Sequence, residues 1–256
     1  MTSTIKEQLS RVETALERYR LEIQIVASTY YLWKTLRDRM ASDRKVKSTY
    51  NLTPIFWTYT LHSLQVTQFV TISRIFDKNK SAFSLHRLKK ICKKNIGAFS
   101  NEALMIKRDW SDLEDYEIDD DVTDYYLKDL QVGSGPGWKK RYIENAYEMT
   151  RTDIDIIFNS LKDAESNHSR GAKTVRDDVF AHSNFENGDI SKFSFDGVTI
   201  GEIERTLDDL HTVYFLINRN LWNGSSPDMV PRAYVPDRNI KKSVDLIIDK
   251  LLYSQP

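Results

Sequence analysis

One cysteine, nine glycines and six prolines are spread over 256 residues. The single cysteine, Cys92, excludes an internal disulfide and every zinc pattern built on paired cysteines, and it fits a reducing compartment such as the cytoplasm. So little glycine and proline punctuation favours long helices over many short strands. No stretch is apolar for long enough to cross a bilayer, and the opening MTSTIKEQLSRVE lacks the apolar core of a signal peptide. An excess of one charge is also missing. With 37 basic and 37 acidic residues the chain is not a general polyanion binder, so nucleic-acid contact has to come from a local patch. No HExxH, no histidine pair at i, i+4, no GxSxG and no GxGxxG occurs, and VGSGPG (132–137) is not followed by the Gly-Lys-Ser/Thr of a phosphate loop. A metal hydrolase is therefore disfavoured, and neither a metal nor a cofactor is expected.

What is present is helical periodicity over a 40% hydrophobic chain, enough for a sizeable core. Ile5, Leu9, Val12, Leu16, Tyr19, Ile23, Val26, Tyr30 and Trp33 alternate steps of four and three, the seam of one long helix over 4–40. That seam serves either a bundle core or a dimer. Thr4 and Glu7 have capping-box spacing at its start. Asn51 to Phe76 reads as a second helix with Pro54 in its first turn, apolar enough to be central. Further helices are expected over Ser84–Ile96, Asn101–Leu113, Lys139–Leu161, from near Lys173, over Ile200–Trp222 and over Arg238–Tyr253. Residues 162–172 read as a loop. Lys192 to Ile200 (KFSFDGVTI) alternates around Asp196-Gly197, a hairpin signal, and Thr199 with Glu202 forms another capping-box pair. Pro227, Pro231 and Pro236 mark a linker. The expected architecture is an all-α bundle with a small β-hairpin, a main domain over 1–224, and a linker with an appended helix over 225–256.

Charge reverses midway. Nine basic residues against Glu102 fill Lys78 to Arg108, and ten acidic residues against Lys128 fill Asp109 to Leu130. These are either two solvated faces that attract one another or a basic groove for RNA phosphates beside an acidic neighbour.

Among the five histidines, His182 stands apart by its company in RDDVFAHS. Asp178 and His182 are an i, i+4 pair, so on a helix the carboxylate can face the imidazole, fix its tautomer and raise its pKa. Arg176 lies about 120° around an ideal helix from His182, within reach of a shared phosphate. RNA carries its own nucleophile, the 2′-hydroxyl. An imidazole to move protons and a guanidinium to hold the scissile phosphate are the least that metal-free cleavage requires. The bland alternative is a surface Arg–Asp pair and a histidine that caps or packs.

The whole string VRDDVFAHSN resembles the Arg-x(4–6)-His signature of the HEPN superfamily, and looks most like its abortive-infection AbiU-type branch, with Asp177 as the polar residue beside the arginine and Ala-His182-Ser183 closing the motif. Ser73-Arg74-Ile75-Phe76-Asp77 is similar to a second segment of that branch, and the resemblance covers roughly residues 15–222. It implies an all-α bundle that pairs as a homodimer, with the motifs of two protomers facing one cleft. It implies a metal-independent endoribonuclease of a phage-defence or toxin–antitoxin system, acting on RNA that is single-stranded or tRNA-like, with a partner antitoxin protein in some systems. Arg176 would bind phosphate, His182 would act as acid or base, and Asp177 would orient the pair. The alternative within the family is a non-catalytic module that binds RNA, nucleotide or a partner protein. For Arg74 and Asp77, a place in the cleft and an ion pair bracing the helix end both stand.

Overall fold

A computed structural model describes residues 4–79, 83–110, 137–166, 199–228 and 238–253. Every regular element among them is helical: α1 (Ile5–Ser42), α2 (Arg44–Leu52), α3 (Pro54–Ile75), α4 (Leu85–Lys94), a 3-10 turn (Ile96–Phe99), α5 (Asn101–Arg108), α6 (Trp138–Asn145), α7 (Arg151–Asn159), α8 (Ile200–Asn223) and α9 (Arg238–Tyr253). The all-α expectation holds, and no strand occurs among the described residues. The hairpin expected over 192–200 lies outside the described residues as far as 198. Its last two positions begin α8 instead: the Thr199 N–H donates to Glu202 Oε2 (2.6 Å) and the Glu202 N–H to Thr199 Oγ1 (3.2 Å), the capping box foreseen from the spacing.

Helix boundaries follow local chemistry. Asp43 caps α2 by accepting the N–H groups of Lys45 and Val46, which ends α1 and starts a helix that was not anticipated. Pro54 then opens α3, where its missing N–H costs nothing. The single helix expected over Lys139–Leu161 is two. The chain is extended at Ala146, and Thr150 with Asp153 forms a full capping box for α7. Residues 162–166, expected as loop, are helical.

Contacts divide the chain into two compact units, and α1 and α8 each contribute residues to both. The first unit comprises Met1–Arg20, Lys80–Lys162 and Asp209–Arg232. Its core includes Leu9, Val12, Leu16 and Tyr19 of α1 and Leu210, Val213, Ile217 and Leu221 of α8, all buried, and the Tyr19 hydroxyl donates to the Leu210 carbonyl (3.1 Å). A second cluster packs Trp110 edge-on to Trp138 and Tyr142. Lys89 and Lys93 of α4 clasp Asp155 of α7 at 2.8 and 2.6 Å, which holds the Asp155 carboxyl down at about 2. Gly224 ends α8 with φ +60, and a Cβ there would stand 2.5 Å from the Ala146 Cβ, so both backbone and space demand glycine.

The second unit comprises Leu21–Asn79, Asp163–Asp208 and Ala233–Pro256. Ile23, Val26, Tyr30 and Trp33 of α1, Ile203 and Leu207 of α8, and Phe69, Ile72 and Ile75 of α3 are buried in it. The final helix forms over the expected residues and packs Val244 and Ile248 on Leu36 and Val46, with Arg39 bonded to Asp249 at 2.8 Å. Eight of the nine α1 seam residues are thus buried within one chain, so the seam is a bundle core rather than a dimer contact. The apolar helix α3 is only half central: its C-terminal half is buried, but Ile55, Phe56 and Tyr59 near its start are exposed.

Candidate functional site

Arg74 is brought to the last turn of α3 by the burial of Ile72, Ile75 and Phe76 on either side of it, which turns the guanidinium outward. There it meets Glu22 of α1, donating to Oε2 from both Nη2 (2.5 Å) and Nε (3.1 Å). Glu22 is largely covered, whereas Arg74 keeps about half its side chain exposed. Asp77 accepts from the Asn79 N–H at 2.8 Å, a local turn that stops the chain after the helix. The anticipated ion pair between Arg74 and Asp77 is therefore not formed. Each has a different partner, because the aspartate sits beyond the helix end while Glu22 faces the arginine from a neighbouring helix.

Lys78, one residue further on, bridges to Glu165 at 2.8 Å, and the Glu165 side chain is mostly covered. That contact ties the Ser73–Asp77 segment to the chain just ahead of the RDDVFAHS string. Arg176, Asp177, Asp178, His182 and Ser183 lie outside the described residues, as does the stretch from near Lys173 where a helix was expected. The described chain on both sides of them, 163–166 and 199–208, belongs to the second unit with Arg74.

Where the chain returns, Glu204 on the second turn of α8 anchors to α1. It accepts from Lys34 Nζ (2.6 Å) and from the Tyr30 hydroxyl (2.9 Å). The Lys34 hydrogen bond holds the Glu204 carboxyl below its usual range, while burial, reinforced by Glu204, pushes the Tyr30 phenol up. Sequence reading missed this trio, because Glu204 lies 170 residues from Lys34 and no local pattern links them. Of the histidines, His62, His86 and His211 are described; burial lowers the pKa of His62. No group of three or more histidine, cysteine or acidic side chains able to hold a metal occurs among the described residues, and no described helix is long and apolar enough to cross a membrane.

Neither a search of curated proteins nor one of solved structures finds a match to this chain. A family model does match, that of AbiU2 in the HEPN group, over residues 10–235. The match runs from the first turns of α1 past the end of α8 and takes in both the Ser73–Asp77 segment and the RDDVFAHS string. The chain belongs to the AbiU2 family of HEPN proteins.

Proposed function

We propose that this HEPN module of the abortive-infection class is a metal-independent endoribonuclease of a phage-defence or toxin–antitoxin system. The observation that carries the reading is the family match across the full span that holds Arg176 and His182. Two aligned groups suffice for the chemistry. His182 takes the proton from a 2′-hydroxyl, the 2′-oxygen attacks the adjacent phosphorus, and the 5′-oxygen leaves with a proton returned to it, giving a 2′,3′-cyclic phosphate and a 5′-hydroxyl end. Arg176 holds the non-bridging oxygens as charge builds. Asp177 orients the arginine, Asp178 holds the imidazole tautomer, and Ser183 closes the motif. Arg74 supports the site from outside, since its guanidinium is already committed to Glu22. The substrate is single-stranded or tRNA-like RNA, the working form is a homodimer in the cytoplasm, and an antitoxin protein restrains it where one is present.

A second reading, a non-catalytic module that binds RNA, nucleotide or a partner protein, is favoured by the balanced charge, 37 basic against 37 acidic residues, since the chain lacks the general basic surface from which an RNase gains phosphate affinity. Cleavage of a labelled RNA in the presence of a chelator separates the two. The nuclease reading expects cyclic-phosphate ends and a loss of roughly 100-fold or more on His182→Ala. Binding without cleavage by the wild-type chain would leave the module reading in its place.

A further inference from the structure

Where α2 gives way to α3 the chain turns a corner, and every residue from Asn51 to Phe56 is exposed. A helix lying on a core hides a residue at every third or fourth position, so an unbroken exposed run marks a protruding tip. The tip is apolar: Leu52, Ile55 and Phe56 are 81, 72 and 61% exposed. Behind it, Tyr59 is 53% exposed, and Trp57 is partly buried and edge-on to Phe56 at 5.2 Å. Three cations, Arg44, Lys45 and Lys47, stand exposed at the start of α2. Nothing nearby in the chain offsets them, for no aspartate or glutamate occurs between Asp43 and Asp77. Asp43 is committed to the α2 cap and lies 3.6 Å from Arg39. The two carboxylates of α9, which packs on α2, also turn to Arg39, Asp245 at 3.7 Å and Asp249 at 2.8 Å. The corner further holds the start of α3, which no side chain caps, so the positive end of that helix dipole adds to the cations.

We propose that this corner seats on an anionic lipid surface, with Leu52, Ile55 and Phe56 entering the acyl boundary and Arg44, Lys45 and Lys47 reaching the lipid phosphates. Charge complementarity chooses this occupant. A set of cations with no carboxylate among them calls for an anionic partner, and a second copy would set like charge against like. The order of the side chains then chooses lipid over RNA. The two most exposed are aliphatic, Leu52 and Ile55, and a base stacks on a planar ring rather than on a branched chain. Aliphatic tips, then the amphipathic rings of Trp57 and Tyr59, then cations is the sequence of polarity met at a bilayer surface. An interfacial element enters by only about 5–10 Å, so the side chains can be immersed while the backbone stays among the headgroups. Apolar insertion of this size holds reversibly, and the cations beside it supply the second attraction that keeps a protein on the surface.

Co-sedimentation of the full chain with vesicles tests this without RNA, so its failure leaves the nuclease reading standing. The chain should bind vesicles of equal parts phosphatidylglycerol and phosphatidylcholine, bind phosphatidylcholine alone far less, and loosen as salt is raised. Ile55→Asp should weaken binding at least about tenfold through lost apolar insertion. Lys45→Gln and Lys47→Gln should each weaken it roughly fivefold. All three positions are exposed, so the circular dichroism spectrum should not change. Depth can be read separately, because the one native cysteine, Cys92, is buried and its thiol is pushed up to about 12, leaving an introduced cysteine to take the label. A polarity-sensitive dye on Leu52→Cys should shift to the blue on the mixed vesicles, and one on Glu144→Cys, exposed on α6, should not. No binding to the mixed vesicles overturns the proposal. So does binding that the folded Ile55→Asp chain or the lysine variants keep in full, or a dye at Leu52→Cys that does not respond. Binding of a single-stranded RNA that these same variants lose, with vesicles left unbound, would overturn it in favour of nucleic acid.

Discussion

In α1, eight of nine seam residues are buried inside the chain; in α3, Phe69, Ile72 and Ile75 are buried while Ile55, Phe56 and Tyr59 stand in solvent. Both stretches are apolar, and the difference lies in their period. The α1 seam is a strict alternation of four and three, so it gathers the buried residues on one face and leaves only Leu21 and Ile25 as large apolar residues in solvent. The apolar residues of α3 run around more than one face, so a single chain can cover only part of them. An apolar helix is thus not necessarily a central one, and what its second face is for has to be asked separately.

The sharpest way to break this comparison is to truncate one phenylalanine at each end of α3. Phe69, 2% exposed, should lose about 3–5 kcal/mol of unfolding free energy on Phe69→Ala, through lost transfer energy and an unfilled cavity. Phe56→Ala should shift it by no more than about 0.5 kcal/mol, since an exposed ring leaves no cavity. Urea melts of both variants check this. Equal losses would mean that Phe56 is covered within the chain and that the two halves of α3 do not differ.

How much of this was legible in sequence follows from where the signals are local. The α1 seam, the Thr199–Glu202 box and the final helix are each written within a few residues, and each appears as read. Helix α2 was missed because its nine residues place one side chain, Val46, in the core, too short a run for a period to stand out. The break after α6 was missed because neither glycine nor proline marks it; its signal is the Thr150–Asp153 box. The partner of Arg74 was not legible at all, since Glu22 lies 52 residues away, whereas Asp77 was the obvious neighbour and the wrong one. For Arg176 and His182 the sequence and the family match carry the whole argument.

A second contrast concerns charge rather than packing, and pH should reveal it. Burial raises the phenols of Tyr19 and Tyr30 on the α1 seam, and Glu204 reinforces the effect at Tyr30. A group whose folded pKa lies above its unfolded value stabilises fully below the unfolded value, near 10.0 here, and loses that contribution as pH rises toward the folded one. Unfolding free energy should therefore fall above about pH 10, by up to about 1.4 kcal/mol per pH unit for each tyrosine. Tyr30→Phe should remove one share of that slope. At the acid end the sign reverses. Glu204 is depressed by Lys34, so its contribution is complete above its ordinary value of 4.5 and fades as pH falls through the folded one. Glu204→Gln should flatten the acid limb, and an unchanged limb would place its cause elsewhere.

The smallest effect expected is at Arg74, and it sharpens the question of what that residue is for. Its bond to Glu22 spans two helices, but the guanidinium is about half exposed and water screens the pair. A double-mutant cycle of Arg74→Ala and Glu22→Ala should give a coupling of roughly 0.2–1 kcal/mol. So weak a brace leaves open what else the guanidinium does at the end of α3. Arg74→Ala should therefore leave the circular dichroism spectrum unchanged while lowering RNA cleavage, if the guanidinium supports the cleft. Unchanged cleavage per folded chain would leave it a brace between α1 and α3 instead. Measuring both on one variant decides between a residue that holds two helices together and one that serves the site.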